Sequence, residues 1–384
     1  MPLPPVRVSL AIAALLTLAG WRAVSIDMGA YLVPWFDHIV AAGPVGAFAA
    51  PFSNYTPPYL YLLAITSLFA GVAAPVALIK LLALVGTLAL AVAVRRLLIA
   101  LDADHPTRGA TLCIALPSVA FNASALGQCD AWWAAASVVA VAMAVERRHA
   151  AMLGWFGLAV AFKAQAAFLA PFVAAILLQR RVPVRLWPIA LMAIALPMLP
   201  AIIDGWPPED IAAIYWRQAD AFSVLSFNAP NVWMVVQMLP GVDWLPPLDA
   251  LALALAAGAG AAYVAAFSIR RLDGHRLVAA ALFAPLLIAG LLPRMHERFF
   301  FLADVLALVL AASTRSLRDW RIAALVQAGS ILGLAAFATR IEMLAVVGAV
   351  AMIAATASLA RALLTDAAND NPAYPARRPL PLSG

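Results

Sequence analysis

Charge is scarce in this chain: only 11% of its 384 residues are Asp, Glu, Lys or Arg. A water-soluble domain of this size carries roughly twice that share, so a soluble enzyme is a poor fit. Cysteine is almost absent. The two that occur, Cys113 in an apolar run and Cys129 beside an acid, leave no disulfide framework to stabilise a small secreted scaffold. Basic residues outnumber acidic ones, 25 against 19, but they are spread along the chain as singles and pairs. Such a pattern reads as membrane topology rather than nucleic-acid binding, and no nucleic acid is expected as a partner. No internal repeat is evident at the scale of solenoids or arrays.

What fills the space is hydrocarbon. Hydrophobic residues make up 65% of the chain, and the mean hydropathy is +0.94. The bilayer is therefore the solvent, and only helices satisfy their own backbone groups there without closing a barrel. The expected fold class is an all-α polytopic membrane protein with about 12 transmembrane helices, whose first outer loop bears juxtamembrane helices. The apolar runs are 8–20, 74–94, 109–124, 131–145, 150–162, 164–178, 186–203, 250–268, 277–292, 300–312, 322–338 and 343–361. Residues 1–364 read as one transmembrane domain, and 365–384 as a Pro-rich, disordered cytoplasmic tail. The N-terminal MPLPPVR lacks a small-residue cleavage site before Trp21, so the first run is expected to stay as a helix.

Orientation follows from the basic residues. If Val8–Gly20 crosses outward and Tyr59–Leu68 lies in the outer leaflet without crossing, most Arg residues fall in cytoplasmic loops. Seven of the 25 basic residues then fall elsewhere: Arg22, Lys80, Lys163, Arg217, Arg294, Arg298 and Arg340. Were Tyr59–Leu68 a full span, every later loop would invert and the bias would reverse. Both termini are thus expected inside, in a plasma membrane of bacterial type. Any chemistry belongs at the outer face, where the unusual residues gather.

The stretch Ile26–Tyr61 differs most from its surroundings, with two aspartates, a His, several prolines and a cluster of aromatics. Asp27 lies about a turn beyond the first span. It reads either as a general base for a hydroxyl or as a plain helix cap. Asp37 and His38 follow on a segment that could present them to substrate or merely to solvent. In SNYTPPYLYLL, Asn54 and Tyr55 are substrate-contact candidates, and the prolines set a helix start. GQCDAWW adds Gln128 and Asp130 between two short apolar helices. Asp130 could bind a sugar hydroxyl, a basic partner or a divalent cation, although one carboxylate is no metal site.

Lys163 interrupts the apolar GWFGLAVAFKAQAAFLAPF. A charge at that depth suggests an anion as partner, with snorkelling as the plainer account. PRMHERFFFLAD concentrates Arg294, His296, Glu297 and Arg298 at the end of a span. Two guanidiniums at that spacing on one helical face would form a fork for phosphate, with His296 adding a hydrogen bond or carrying a proton. The loop from Asp204 to Asp243, with Trp206, Tyr215, Trp216, Asn231 and Trp233, is expected to border the cavity.

Together Asp27, YTPPYLYLL, NASALGQCD, FKAQAAFLAPF and MHERFFF resemble the polytopic glycosyltransferases of the C-type fold over roughly Ile26–Asp304. Those enzymes use a polyprenyl-phosphate-linked sugar at the outer membrane face. MHERFFF is the most specific element, being similar to the HER/HEK segment of the hexosyltransferases that use lipid-phosphate mannose or glucose. The resemblance implies Asp27 as catalytic base, and Lys163, Arg294, His296 and Arg298 as holders of the lipid phosphate. It also implies a helix of the first outer loop lying flat in the leaflet. Two departures stand out. Ile26 and Met28 flank Asp27 where many relatives have a second acid, and GQCD offers one acid where some have two, leaving metal dependence open.

The resulting expectation is an inverting transfer of a hexose from polyprenyl phosphate to a glycan or lipid acceptor, with Gln128, Tyr55, Asp37 and Asp130 contacting substrate. A polyprenyl phosphate leaves as a stable anion, so a metal is not chemically required. The rival from another class is a transporter or flippase for an anionic lipid or glycolipid, which would favour paired repeats and broken helices in corresponding halves.

Overall fold

The computed structural model describes residues 2–220, 224–241 and 246–365. The chain is all-α apart from one two-residue parallel ladder. Long Ala/Leu/Val segments have high helix propensity, and prolines mark where many helices begin. Pro75, Pro106, Pro117 and Pro188 all occupy a first turn, where the missing N–H has no intrahelical partner to lose.

Among the described residues, six helices are long and apolar enough to cross a membrane: Pro75–Ala100, Val184–Asp204, Leu248–Ser268, Gly274–Leu291, Leu317–Thr339 and Met343–Thr365. Five more are apolar but shorter: Val6–Trp21, Asp130–Val145, His149–Phe162, Ala164–Gln179 and Phe301–Thr314. Large apolar side chains such as Leu15, Leu18, Val92, Ile203 and Val350 are exposed over the outside of the bundle. In water such a surface would aggregate; against lipid tails it costs nothing. Phe301–Thr314 is buried along almost its whole length and forms the centre of the core.

Some segments depart from the sequence expectation. The run 109–124 is two helices, Pro106–Ile114 and Pro117–Ser124, because Pro117 forces Leu116 into an extended conformation. The stretch read as a polar loop, Asp204–Asp243, contains helices Pro208–Asp220 and Val232–Gln237. Residues 221–223 and 242–245 of that stretch, and the expected tail from residue 366 on, lie outside the described residues. The helix Pro57–Ser67 has 11 residues. At about 1.5 Å per residue it spans about half of a hydrocarbon core, too little to cross it.

The ends of the helices sort into two groups. One group joins loops rich in Arg: Arg96 meets Glu146, Arg147 and Arg180 meet Asp273, and Arg315 meets Asp104. Arg180 also donates to the carbonyls of Ala144 and Leu272, tying three of these loops together. The other group gathers the first loop, the Gln128–Asp130 turn, Lys163 and the Arg294–Arg298 segment.

Lys80 belongs to neither group. It is fully buried in Pro75–Ala100 and donates to the carbonyls of Trp21 at 2.6 Å and Ala23 at 2.5 Å, with Gly20 at 3.4 Å. A lysine here caps carbonyls that the first helix leaves open. Its charge therefore serves structure and explains one of the seven residues off the basic face.

Helix His149–Phe162 packs directly on Pro188–Ala195 at Gly157, where a Cβ would run into the backbone carbonyl oxygen of Ala190. Because the obstacle is backbone, it cannot rotate away. Gly157→Val should destabilise the fold by about 1–3 kcal/mol, the usual cost of overpacking. Thermal unfolding of the detergent-solubilised variant checks this: a lower Tm is expected, and an unchanged one would deny the close helix contact.

Candidate active site

The first helix ends at Trp21, held by Lys80, and the chain turns into a new helical segment. Ser25 Oγ accepts the Met28 amide at 3.2 Å and donates to the Leu126 carbonyl at 3.4 Å, capping the new segment and fastening it to the next turn. That turn needs Gly127. Its φ is +63°, and the Met28 side chain occupies the space a Cβ would take. Asp27 stands at the start of a π-helical turn, Met28–Leu32, between these anchors. Such turns recur at functional sites because they re-aim side chains within a helix.

Asp27 reaches Arg298, with Oδ2 at 2.9 Å from the guanidinium. Arg298 also pairs with Glu297 at 2.8 Å and approaches Asp130 at 3.8 Å through Nε. Asp130 in turn holds Lys163 at 2.6 Å and accepts hydrogen bonds from Trp133 Nε1 at 2.9 Å and Asn122 Nδ2 at 2.7 Å. Lys163 sits where helix His149–Phe162 breaks into extended backbone, and its ammonium lies 5.1 Å from the Tyr55 ring centroid. Tyr55 donates to Gln128 Oε1 at 2.9 Å, and Thr56 donates to the Ala161 carbonyl beside the break. Four separated segments thus converge on one charge network.

Burial shapes the titration of the loop residues. The Tyr55 phenol is pushed up by desolvation, which the nearby Lys163 charge only partly offsets. Glu297 is fully buried. Burial acts to raise its carboxyl, but Arg298 and His296 outweigh that and hold it below the ordinary 4.5. Glu297 is therefore ionised and anchors Arg298.

Arg294 and Arg298 do not share a helical face, contrary to the sequence expectation. Met295–His296 form a short strand paired with Ser226–Phe227, and Arg294 takes a left-handed conformation at φ +60°. The Arg294 amide donates to the Leu225 carbonyl at 2.7 Å, and its side chain pairs with Asp249 at 2.8 Å. The two guanidiniums are consequently aimed at different carboxylates. The His296 ring stacks on Phe227, with centroids 5.0 Å apart.

A cavity of about 350 Å³ opens against this network. Asp27, Tyr55, Gln128, Lys163, Arg294, His296 and Arg298 all line it, as does Asn54. Most of the remaining wall is apolar, including Leu253, Leu292, Phe168 and Phe299. Two of the expected contact residues lie off the cavity lining. Asp130 is buried and pairs with Lys163, with Arg298 3.8 Å away. Asp37 is exposed and outside the cavity lining, because Trp35, Phe36 and Ile39 take the inward face of its helix. His38, also exposed, bonds the Ala47 carbonyl and stacks on Phe52, a local structural role.

Around Arg298 and Lys163 stand three carboxylates, Asp27, Asp130 and Glu297. The cluster is not a bare cationic pocket: each cation already holds a carboxylate. Asp27 is the most open of the three, with 23% of its side chain exposed. Among the described residues, no three His, Cys, Asp or Glu side chains are grouped to hold a metal ion.

Sequence reasoning missed the roles of Glu297, Asn122, Trp133, Gln165 and Asp249. Two carried a local signal: Trp133 lies three residues after Asp130 on the same helical face, and Glu297 is the chain neighbour of Arg298. No family model matches this chain, and no curated protein matches it.

Glu297 gives a pH test with a definite sign. A carboxyl lowered in the fold stabilises above its ordinary 4.5, and that contribution is lost as pH falls through the lowered value. Glu297→Gln should lower Tm at neutral pH and flatten the fall of Tm on acidification. Equal acid slopes for wild type and variant would contradict the assignment of Glu297 as the buried anion.

Proposed function

We propose that the protein is an integral membrane glycosyltransferase of the C-type fold, moving a hexose, mannose or glucose, from polyprenyl phosphate to a glycan or lipid acceptor. The observation that carries this reading is the contact between Asp27 and Arg298 on the wall of a largely apolar cavity that Lys163 also lines. A carboxylate beside two buried cations suits a reaction in which a hydroxyl loses its proton while a phosphate leaves. The apolar wall suits a polyprenyl chain.

The topology belongs to the same proposal. The six long helices, the five shorter ones and the broken pair Pro106–Ile114 and Pro117–Ser124 make twelve crossings among the described residues. The Arg-rich loop cluster is the cytoplasmic face, both termini lie inside, and the cavity opens at the outer face of a bacterial-type plasma membrane. Pro57–Ser67 lies along the outer leaflet.

In the reaction, the donor phosphate exchanges with Asp27 on Arg298, freeing the carboxylate. Asp27 then takes the proton of the acceptor hydroxyl. The acceptor oxygen attacks the anomeric carbon from the face opposite the phosphate, and the bond from that carbon to the phosphate oxygen breaks. The electron pair departs with polyprenyl phosphate, whose charge Arg298 and Lys163 stabilise, and the configuration inverts. Charges fixed in place before the reaction are commonly the largest catalytic contribution. Glu297 and Asp130 hold the two cations where they are needed.

Replacing the base without changing its shape tests the reading. Asp27→Asn should reduce release of polyprenyl phosphate from polyprenyl-phosphate hexose by about 10²–10⁴-fold, the usual share of general-base catalysis, with insertion unchanged. Asp37→Asn, outside the cavity, should leave the rate near wild type. Near-normal turnover by the Asp27 variant would remove Asp27 as base.

A further inference from the structure

We propose that Gln165 reads the hydroxyls of the donor hexose. This rests on the transferase reading above. Gln165 lies in the 3-10 turn Ala164–Leu169, two residues past Lys163, and lines the cavity with 7% of its surface exposed. Its Oε1 is buried without a hydrogen-bond partner among the described residues. Nearby, Lys163 holds Asp130, Tyr55 donates to Gln128, and Arg298 holds Asp27 and Glu297 while its Nε lies 3.8 Å from Asp130.

A buried amide left unpaired costs stability, and folded proteins rarely keep one without a use. An uncharged amide offers both donors and an acceptor, which matches a hydroxyl, itself donor and acceptor. Phosphate supplies acceptors and is better met by the adjacent cations. A second acceptor of the same wall, Asp249 Oδ1, is likewise buried without a partner among the described residues, while Oδ2 holds Arg294. Two residues of one cavity wall, each with a buried unpaired acceptor, suit a ring bearing several hydroxyls. The hexose is bonded directly to the phosphate, so a phosphate at Lys163 brings the sugar within reach of a residue two positions on.

A site built to hydrogen-bond a hydroxyl discriminates strongly against a ligand that lacks it. The test measures binding of polyprenyl-phosphate hexose and of bare polyprenyl phosphate to wild type and to Gln165→Met, which keeps length and removes hydrogen bonding. The variant should lose about tenfold or more in affinity for the hexose lipid and hold bare polyprenyl phosphate within about twofold. Retained binding of the bare lipid also shows that the variant is folded, and Gln165→Leu repeats the measurement in a second shape. Equal losses for both lipids, or no loss for either, overturn the assignment while leaving the transferase reading intact. Wild-type protein that binds neither lipid overturns both.

Discussion

The guanidinium of Arg298 is the interaction on which the site depends. It is nearly enclosed and holds Asp27 and Glu297 directly, with Asp130 close behind. These partners come from the first loop, from its own neighbour and from the first residue of helix Asp130–Val145. A buried charge persists only when it is paired, and removing one partner of such a pair typically costs about 3–5 kcal/mol. The network therefore ties the first loop to the bundle beside the apolar packing of Met28, Leu32 and Phe36. It also means that both cations are engaged with carboxylates in the unliganded protein.

The scaffold explains why such a network can exist inside an apolar chain. Helices that stop short leave backbone and side chains facing a common space. His149–Phe162 ends at the extended backbone of Lys163, and Gly274–Leu291 ends before the strand Met295–His296. Irregular backbone of this kind is tolerated within a membrane protein only where protein or a cavity covers it. Here Ser226–Phe227 pairs with Met295–His296, Thr56 bonds the Ala161 carbonyl, and Lys80 caps the first helix. Each break in a helix is answered by a partner from another segment.

Much of the fold was legible because hydrocarbon content and proline placement are local properties. Composition alone separates most apolar helices from their connections, and Pro57-Pro58 marks a real helix start. Intramembrane charge was equally readable: Asp27, Lys163 and Arg298 stand out by sequence and meet in space. What stayed hidden was pairing across distance. Nothing near Arg294 announces Asp249, and nothing near Lys80 announces the carbonyls of Trp21 and Ala23. Spacing also misled where the backbone left the helix, since the fork expected of Arg294 and Arg298 presumed a helical face that a strand and a left-handed residue replace. Asp37 lies off the cavity for the opposite reason, a regular helix turning its apolar face inward.

In the proposed reaction the cavity cleaves the bond between a sugar and a lipid phosphate. Purified protein in sealed liposomes, supplied with polyprenyl-phosphate hexose and acceptor, separates chemistry from transport when both lipid products and leaflet distribution are followed. The account predicts free polyprenyl phosphate and glycosylated acceptor, formed at the leaflet opposite the Arg-rich loops. Intact polyprenyl-phosphate hexose carried from one leaflet to the other, with no phosphate lipid released, would contradict it.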